Sequence, residues 1–224
     1  MHQLIGKKFF FYFFIFIFLG TINNQNLRLV NLFGITNIKI NDSNGLDKQE
    51  FLYDLEKLKY SNIFNLQKDE ITNSIFKNEL VENFEIYKKY PSELIINIKS
   101  ASFLANINVN GKYYYIGSNK KLIKSDFIDM KLPLIFGSPS IDDFFELREK
   151  IIVSNINFED IKNLYFFPSK RWDIEFLNGK ILRLPKDNIT KILNNYDKLS
   201  KQNNFLKKNI FDMRIKDQLI INEF

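Results

Sequence analysis

Residues 169–185 read SKRWDIEFLNGKILRLP. An alternating strand from Trp172 to Phe176, an Asn178-Gly179 turn, a second short strand and a closing proline predict a β-hairpin. With a two-residue turn, Leu177 pairs with Lys180 and Phe176 with Ile181, because each step outward adds one residue per strand. Trp172, Ile174, Phe176 and Ile181 then share one apolar face, and Trp172, Ile174 and Phe176 are read as structural core. Arg171 stands just ahead of that face. Such a hairpin belongs to a sheet that packs on one side.

The surrounding sequence continues the β pattern from about residue 102 to 224. Asn110-Gly111 follows Val109 and precedes Lys112 and three tyrosines, a second hairpin. The stretch SIDDFFELREKII predicts a helix capped by Ser140 or Asp142, with Phe144, Phe145, Ile151 and Ile152 supplying apolar surface. ITKILNNYDKLSKQNNFLKK predicts another helix. In the tail, Phe211, Met213 and Ile215 alternate with Asp212, Arg214 and Lys216, so one face is buried and the other charged.

Upstream lies a smaller α+β unit. FGITNIKI ends at the turn-forming NDSNG and reads as a strand. LDKQEFLYDLEKL places Phe51, Leu52, Leu55 and Leu58 at helical spacing behind Asp47, and KDEITNSIFKNEL places Ile71, Ile75, Phe76 and Leu80 on one side of a second helix. Two strands follow, with Phe84, Ile86 and Tyr90 facing inward on the first and Leu94, Ile96 and Ile98 on the second, joined at Pro91 and Ser92. The order strand, helix, helix, strand, strand is compact enough for one sheet with helices on a face. The boundary between the two folded parts is expected near residues 100–104.

The N-terminus is different again. KKFFFYFFIFIFLGTI offers about 14 apolar residues over 9–22, a helix of only ~21 Å against a hydrocarbon layer of ~30 Å. Counting from Leu4, with Lys7 and Lys8 snorkelling, brings it near spanning length. Those lysines keep the N-terminus cytoplasmic by the positive-inside bias, which leaves the rest of the chain outside. GTINNQN lacks the small-residue pattern of a cleavage site, so the segment reads as an uncleaved anchor. The absence of cysteine suits an exported chain with a real core.

Formal charge is +6, from 32 Lys and Arg against 26 Asp and Glu. Lys7, Lys8 and Arg28 lie in the first 32 residues, which hold no acid, so the remainder carries +3 with both signs interspersed. Only five of the cations are arginine, the side chain suited to phosphate forks, and nucleic-acid binding is not expected. Catalysis is not expected either. The one histidine, His2, lies before the anchor, which rules out a Ser-His-Asp triad or histidine metal site outside the membrane. Phosphate-cradling glycine motifs are missing, and Asp142-Asp143 and Glu159-Asp160 read as solvated helix-start acids. No cofactor, metal or small-molecule substrate is expected; the chain reads as a binding scaffold.

The stretch ENFEIYKKYPSELIINIKSASFLANI, then LPLIFG, KRWDIEFLNGKILRLP and DMRIKDQLIIN in that order, resemble the bacterial cell-division family FtsQ/DivIB, in its alphaproteobacterial form. The likeness covers roughly residues 5–222; a Glu-Arg-x-Pro usual in the family after the last POTRA strand is replaced by KSASF. It implies an α+β architecture: cytoplasmic tail, transmembrane helix and connector over 1–32, a POTRA domain over 33–101, and a β domain over 102–224 with an exposed C-terminal edge strand. It further implies a non-catalytic scaffold of the inner membrane, concentrated at the septum. Such a scaffold links early and late division proteins and binds FtsB and FtsL by strand addition, thereby controlling septal peptidoglycan synthesis. The POTRA domain and anchor are implicated in contacts with other division proteins. Matched residue by residue, Arg214 falls beside the partner-binding strand with Ile215, Asp212 and Lys216, and Arg171 is a looser match to a second interface arginine. Two other readings stand beside this one: a POTRA-bearing component of outer-membrane assembly or secretion, for which the following ~120 residues lack a barrel's strands, and a tethered cell-wall hydrolase.

Overall fold

The computed structural model describes residues 6–22, 33–42, 53, 55–125, 128–215 and 218–222. It begins with α1 (Lys7–Ile22), whose aromatic side chains are exposed all round. At 16 residues this helix is about 24 Å long, and among the described residues no helix is long and apolar enough to cross a membrane. The expected transmembrane helix is therefore met only as a shorter apolar helix, and the Leu4 and Ile5 that would extend it lie outside the described residues.

The rest divides into two compact units, one of Met1–Asn78 with Asn83–Lys99, the other of Glu79–Glu82 with Ser100–Phe224. In the first, β1 (Asn37–Asp42), α2 (Lys68–Ile75), β2 (Val81–Lys89) and β3 (Glu93–Ser100) follow in order. The sheet order is β1-β3-β2, with β1 parallel to β3 from Asn37 opposite Glu93 to Asp42 opposite Ile98. Alternation sends Leu94, Ile96 and Ile98 into the core beside Ile38 and Ile40, and α2 adds Ile71 and Ile75. Asp47, Phe51 and Leu52 of the expected first helix lie outside the described residues; its end is a 3-10 turn, Glu56–Leu58, which buries Leu58 just after the buried Leu55. Phe84 and Ile86 are half-buried as expected of an inward face. Tyr90 is not: it lies past the end of β2, in the turn, and is 56% exposed.

The second unit comprises β4 (Phe103–Val109), β5 (Lys112–Gly117), β6 (Leu122–Ser125), β7 (Leu134–Phe136), α3 (Ile141–Ile152), β8 (Ile161–Phe166), β9 (Trp172–Phe176), β10 (Ile181–Arg183), α4 (Ile189–Ser200), β11 (Ile210–Asp212) and β12 (Ile220–Asn222). They form one sheet in the order β12-β11-β10-β9-β8-β7-β4-β5-β6, so β12 and β6 are its edges. The neighbours β4 and β7, β7 and β8, and β10 and β11 are parallel, so each pair needs a crossover connection. α3 and α4 supply two of these and bury Phe144, Leu147, Leu193 and Tyr196 against Ile135, Leu164, Ile174, Leu182 and Phe211 of the sheet. Ser140 starts α3 with a reciprocal cap: Asp143 N–H donates to its Oγ, and its own N–H donates to the Asp143 carboxylate.

The two Asn-Gly turns differ, and the difference corrects the expected register. At Asn110-Gly111 both residues have positive φ, 53° and 81°, a two-residue type I′ turn that pairs Val109 with Lys112. At 178–179 only Gly179 is left-handed, at 81°. There Gly179 N–H donates to Phe176 O, and Phe176 N–H to Lys180 O, closing a three-residue loop. Ile181 thus faces Glu175, and Leu182 faces Ile174. A one-residue slip turns a strand over. The expected register would have put Ile181 and Arg183 on the core face; the observed one puts Leu182 and Leu184 there, both fully buried, which at ~1.5–3 kcal/mol per buried leucine outweighs one isoleucine with an arginine. Trp172, Ile174 and Phe176 are 3%, 0% and 4% exposed.

Candidate partner-binding surface

The sheet face turned away from α3 and α4 carries a row of charge at the β12 end. The register aligns Asp173 on β9, Arg183 on β10 and Asp212 on β11. Arg183 reaches both carboxylates, 3.8 Å from Asp173 and 3.5 Å from Asp212. Arg214, two residues past the end of β11, folds back on Asp212: its Nε donates at 2.8 and 3.0 Å, its Nη2 donates as well, and its own backbone N–H donates at 3.2 Å. Arg171 lies 3.9 Å from Asp173 and stacks 4.3 Å from the Phe167 ring centre. Three guanidiniums thus surround two largely buried carboxylates.

The two acids answer differently. The hydrogen bonds from Arg214 hold the Asp212 carboxyl below its ordinary range, against the opposing effect of burial. Burial pushes Asp173 up and outweighs the charges of Arg171, Arg183 and Arg214. Asp173 Oδ1 and Arg171 Nε are buried without a hydrogen-bond partner among the described residues. The row continues into Glu175, which accepts from Lys162, Asn163 and the Tyr165 hydroxyl at 3.0, 2.9 and 2.7 Å. Burial first, and that carboxylate second, push Tyr165 up to about 12.

Four of the five residues singled out in the sequence have a place here. Asp212 and Arg214 join directly, Arg171 enters the same cluster through Asp173, Ile215 is 52% exposed, and Lys216 lies outside the described residues. Sequence reasoning missed Asp173 and Arg183. The signal that could have found them is the hairpin parity: once Leu182 and Leu184 are taken as core, Arg183 must share a face with Asp173.

Beyond β11 comes β12, three residues at the sheet edge with Ile220 47% exposed. On its far side no strand of the described residues pairs with it. Beside it a groove of about 820 Å³ opens between α4 and residues 213–215 and 218–219, lined by Ile192, Leu199, Met213 and Ile215 together with Lys191 and Lys198. Among the described residues no group of three or more His, Cys, Asp or Glu side chains could hold a metal ion.

Residues 33–99 match the family model for the POTRA domain, FtsQ-type. The chain is 26% identical over 135 residues to the cell division protein DivIB of Clostridium tetani, covering 59% of this chain and 50% of that one. It is 23% identical over 197 residues to the cell division protein FtsQ of Bradyrhizobium diazoefficiens, covering 84% of this chain and 56% of the relative. With FtsQ of Rickettsia bellii the identity is 23% over 202 residues, 86% of this chain and 73% of the other. The chain thus spans about half the length of the first two relatives. With the POTRA match at the front, this chain carries an FtsQ-type POTRA domain and is similar over most of its length to the cell division proteins FtsQ and DivIB.

Proposed function

We propose that this chain is a non-catalytic, bitopic scaffold of the division machinery, held in the inner membrane by its N-terminal apolar segment with both folded units on the periplasmic side. At the septum it links early and late division proteins and binds an FtsB/FtsL pair, through which it controls septal peptidoglycan synthesis. The partner adds an extended segment to the outer side of β12, where main-chain hydrogen bonds give register. Carboxylates on that segment meet the Arg171, Arg183 and Arg214 cluster, which has one more cation than acid. The observation that carries this reading is the position of β12 at the sheet edge, with Arg214 one strand inward past the end of β11 and Arg183 two strands inward on β10.

The test is titration calorimetry of the full chain, in lipid nanodiscs, with the soluble coiled-coil ectodomain of FtsB/FtsL from the same organism. Arg214→Glu is expected to weaken binding at least tenfold, about 1.4 kcal/mol, and Arg214→Gln by less. Because Arg214→Glu also sets a second carboxylate against Asp212, retention of the wild-type circular dichroism is checked first. Unchanged affinity in a folded Arg214→Glu variant overturns the site.

A further inference from the structure

Three rings stand together at one end of the POTRA unit, outside its core. Phe33 meets Phe64 edge-on at 5.0 Å, and Phe64 stacks on Tyr90 at 4.8 Å. They are 41%, 54% and 56% exposed. Backbone hydrogen bonds hold them there: Ile63 N–H to Phe33 O at 2.9 Å, Ile35 N–H to Ser61 O at 3.0 Å, and Thr36 N–H to Ser92 O at 2.9 Å. Hence the entering chain, the loop bearing Phe64 and the turn after Tyr90 share one end of the sheet.

That end is also where the chain arrives from α1. Residues 23–32 separate the two, which limits Phe33 to about 40 Å from Ile22. No Asp or Glu precedes Asp42 in the whole sequence. The acid nearest the turn, Glu93, is paired with both Lys39 and Lys89. Exposed aromatic rings beside an acid that is paired with two lysines, a short tether away from an apolar helix, have the chemistry of residues that settle at the headgroup level of a bilayer.

We infer that Phe33, Phe64 and Tyr90 form a lipid-facing foot that seats the POTRA unit on the membrane interface. The inference rests on the membrane anchor proposed above. Its consequence is orientation: a unit touching the bilayer by one end cannot tumble freely on its connector, so its other surfaces are presented at a set angle.

The chain has no cysteine, so a single introduced thiol can be spin-labelled uniquely. Asn65→Cys places a nitroxide beside an intact triad. Lys77→Cys places one beside the Phe76–Phe84 ring pair, and Phe84 lies six residues along β2 from Tyr90, about 20 Å away. The full chain is reconstituted in vesicles of phosphatidylethanolamine and phosphatidylglycerol, and collisions with oxygen are compared with those of a water-soluble nickel chelate. The expected result is a several-fold higher oxygen-to-nickel ratio at position 65 than at 77, falling to the value at 77 when Phe33→Ser and Phe64→Ser are added. Water-like values at both positions, in chains that co-float with the vesicles, overturn the foot and leave the anchor standing. A label at 65 shielded from both reagents means that protein, not lipid, covers the triad, and overturns it too. Chains that fail to co-float overturn anchor and foot together.

Discussion

Arg214 occupies the position expected of a partner-binding arginine, yet its guanidinium is already tied to Asp212. Asp212, 8% exposed at the side chain, fixes the direction of an arginine that is 37% exposed, so under the proposed function the pair would meet a partner already oriented. Because Asp212 is held below its ordinary range, its interactions contribute stability that is fully present above the unfolded carboxylate value of about 3.9 and lost as pH falls through the lower folded value. Asp212→Asn should therefore cost about 1 kcal/mol at pH 7, a figure reduced for the exposure of Arg214, and the cost should shrink as the pH is lowered toward 3. Asp173 has the opposite sign. Burial raises its folded value, so its contribution is fully present below about 3.9 and lost as pH rises through that raised value. The balance should thus move in favour of Asp173→Asn across that window. Urea unfolding of both variants and the parent between pH 3 and 7 checks the two slopes; parallel curves would show that neither the Arg214 hydrogen bonds on Asp212 nor the burial of Asp173 shifts its carboxyl.

The hairpin over 172–183 shows what a sequence can and cannot disclose. Its strands, its turn residues and its three core side chains are written in local alternation. Its register is not, because Asn-Gly serves a two-residue turn at 110–111 and a three-residue loop at 177–179. What separates the two is the far strand: Leu182 and Leu184 go under α4 only if one extra residue enters the loop. If so, Leu182→Ala should cost about 2–5 kcal/mol, as for a buried leucine, and Ile181→Ala under about 1; equal losses in urea unfolding would mean the wrong strand face. Gly179 and Gly137 give a second contrast. Both have positive φ, but a Cβ on Gly179 meets nothing within 4 Å, whereas one on Gly137 would lie 2.3 Å from Phe166 O. Gly179→Ala should lose about 1 kcal/mol from backbone strain, and Gly137→Ala clearly more, since β8 must also shift. The helix α3 was legible from its Ser140 cap and 3.6-residue spacing; α4 was legible without a cap, and it ends at Ser200, short of the stretch through Lys208 expected to be helical. The parallel neighbours β4 and β7, or β10 and β11, were not, since each pairing joins segments about 30 residues apart and no local pattern records it. Arg183 was missed for the same reason: its role exists only once β10 lies between β9 and β11.

The division of the chain is less simple than a cut near residue 100. Glu79–Glu82 belongs to the second unit: Leu80 packs on Ala101, Tyr115 and Ile123, and Ala101 N–H donates to Leu80 O at 2.8 Å. The Asn119 amide donates to Glu79 O and Val81 O at 2.8 and 2.9 Å, and the Ser118 hydroxyl to Glu82 at 3.1 Å. Residues 79–82, which lead into β2, thus pack on the β5–β6 side of the nine-stranded sheet, far along the strand order from β12. A fragment of residues 102–224 should consequently be less stable than one of residues 79–224 by about 4 kcal/mol, counting roughly 1 kcal/mol for each of the four lost hydrogen bonds, or on the order of 10 °C in melting temperature. Asn119→Ala should destabilise the longer fragment by about 2 kcal/mol, reproducing part of that gap. Thermal melts of the three proteins decide it, and equal melting temperatures would mean that 79–82 is a passive linker. If the gap is found, weak partner binding by the shorter fragment reports a frayed β6 side as well as the β12 edge, so only the longer one isolates the contribution of β12.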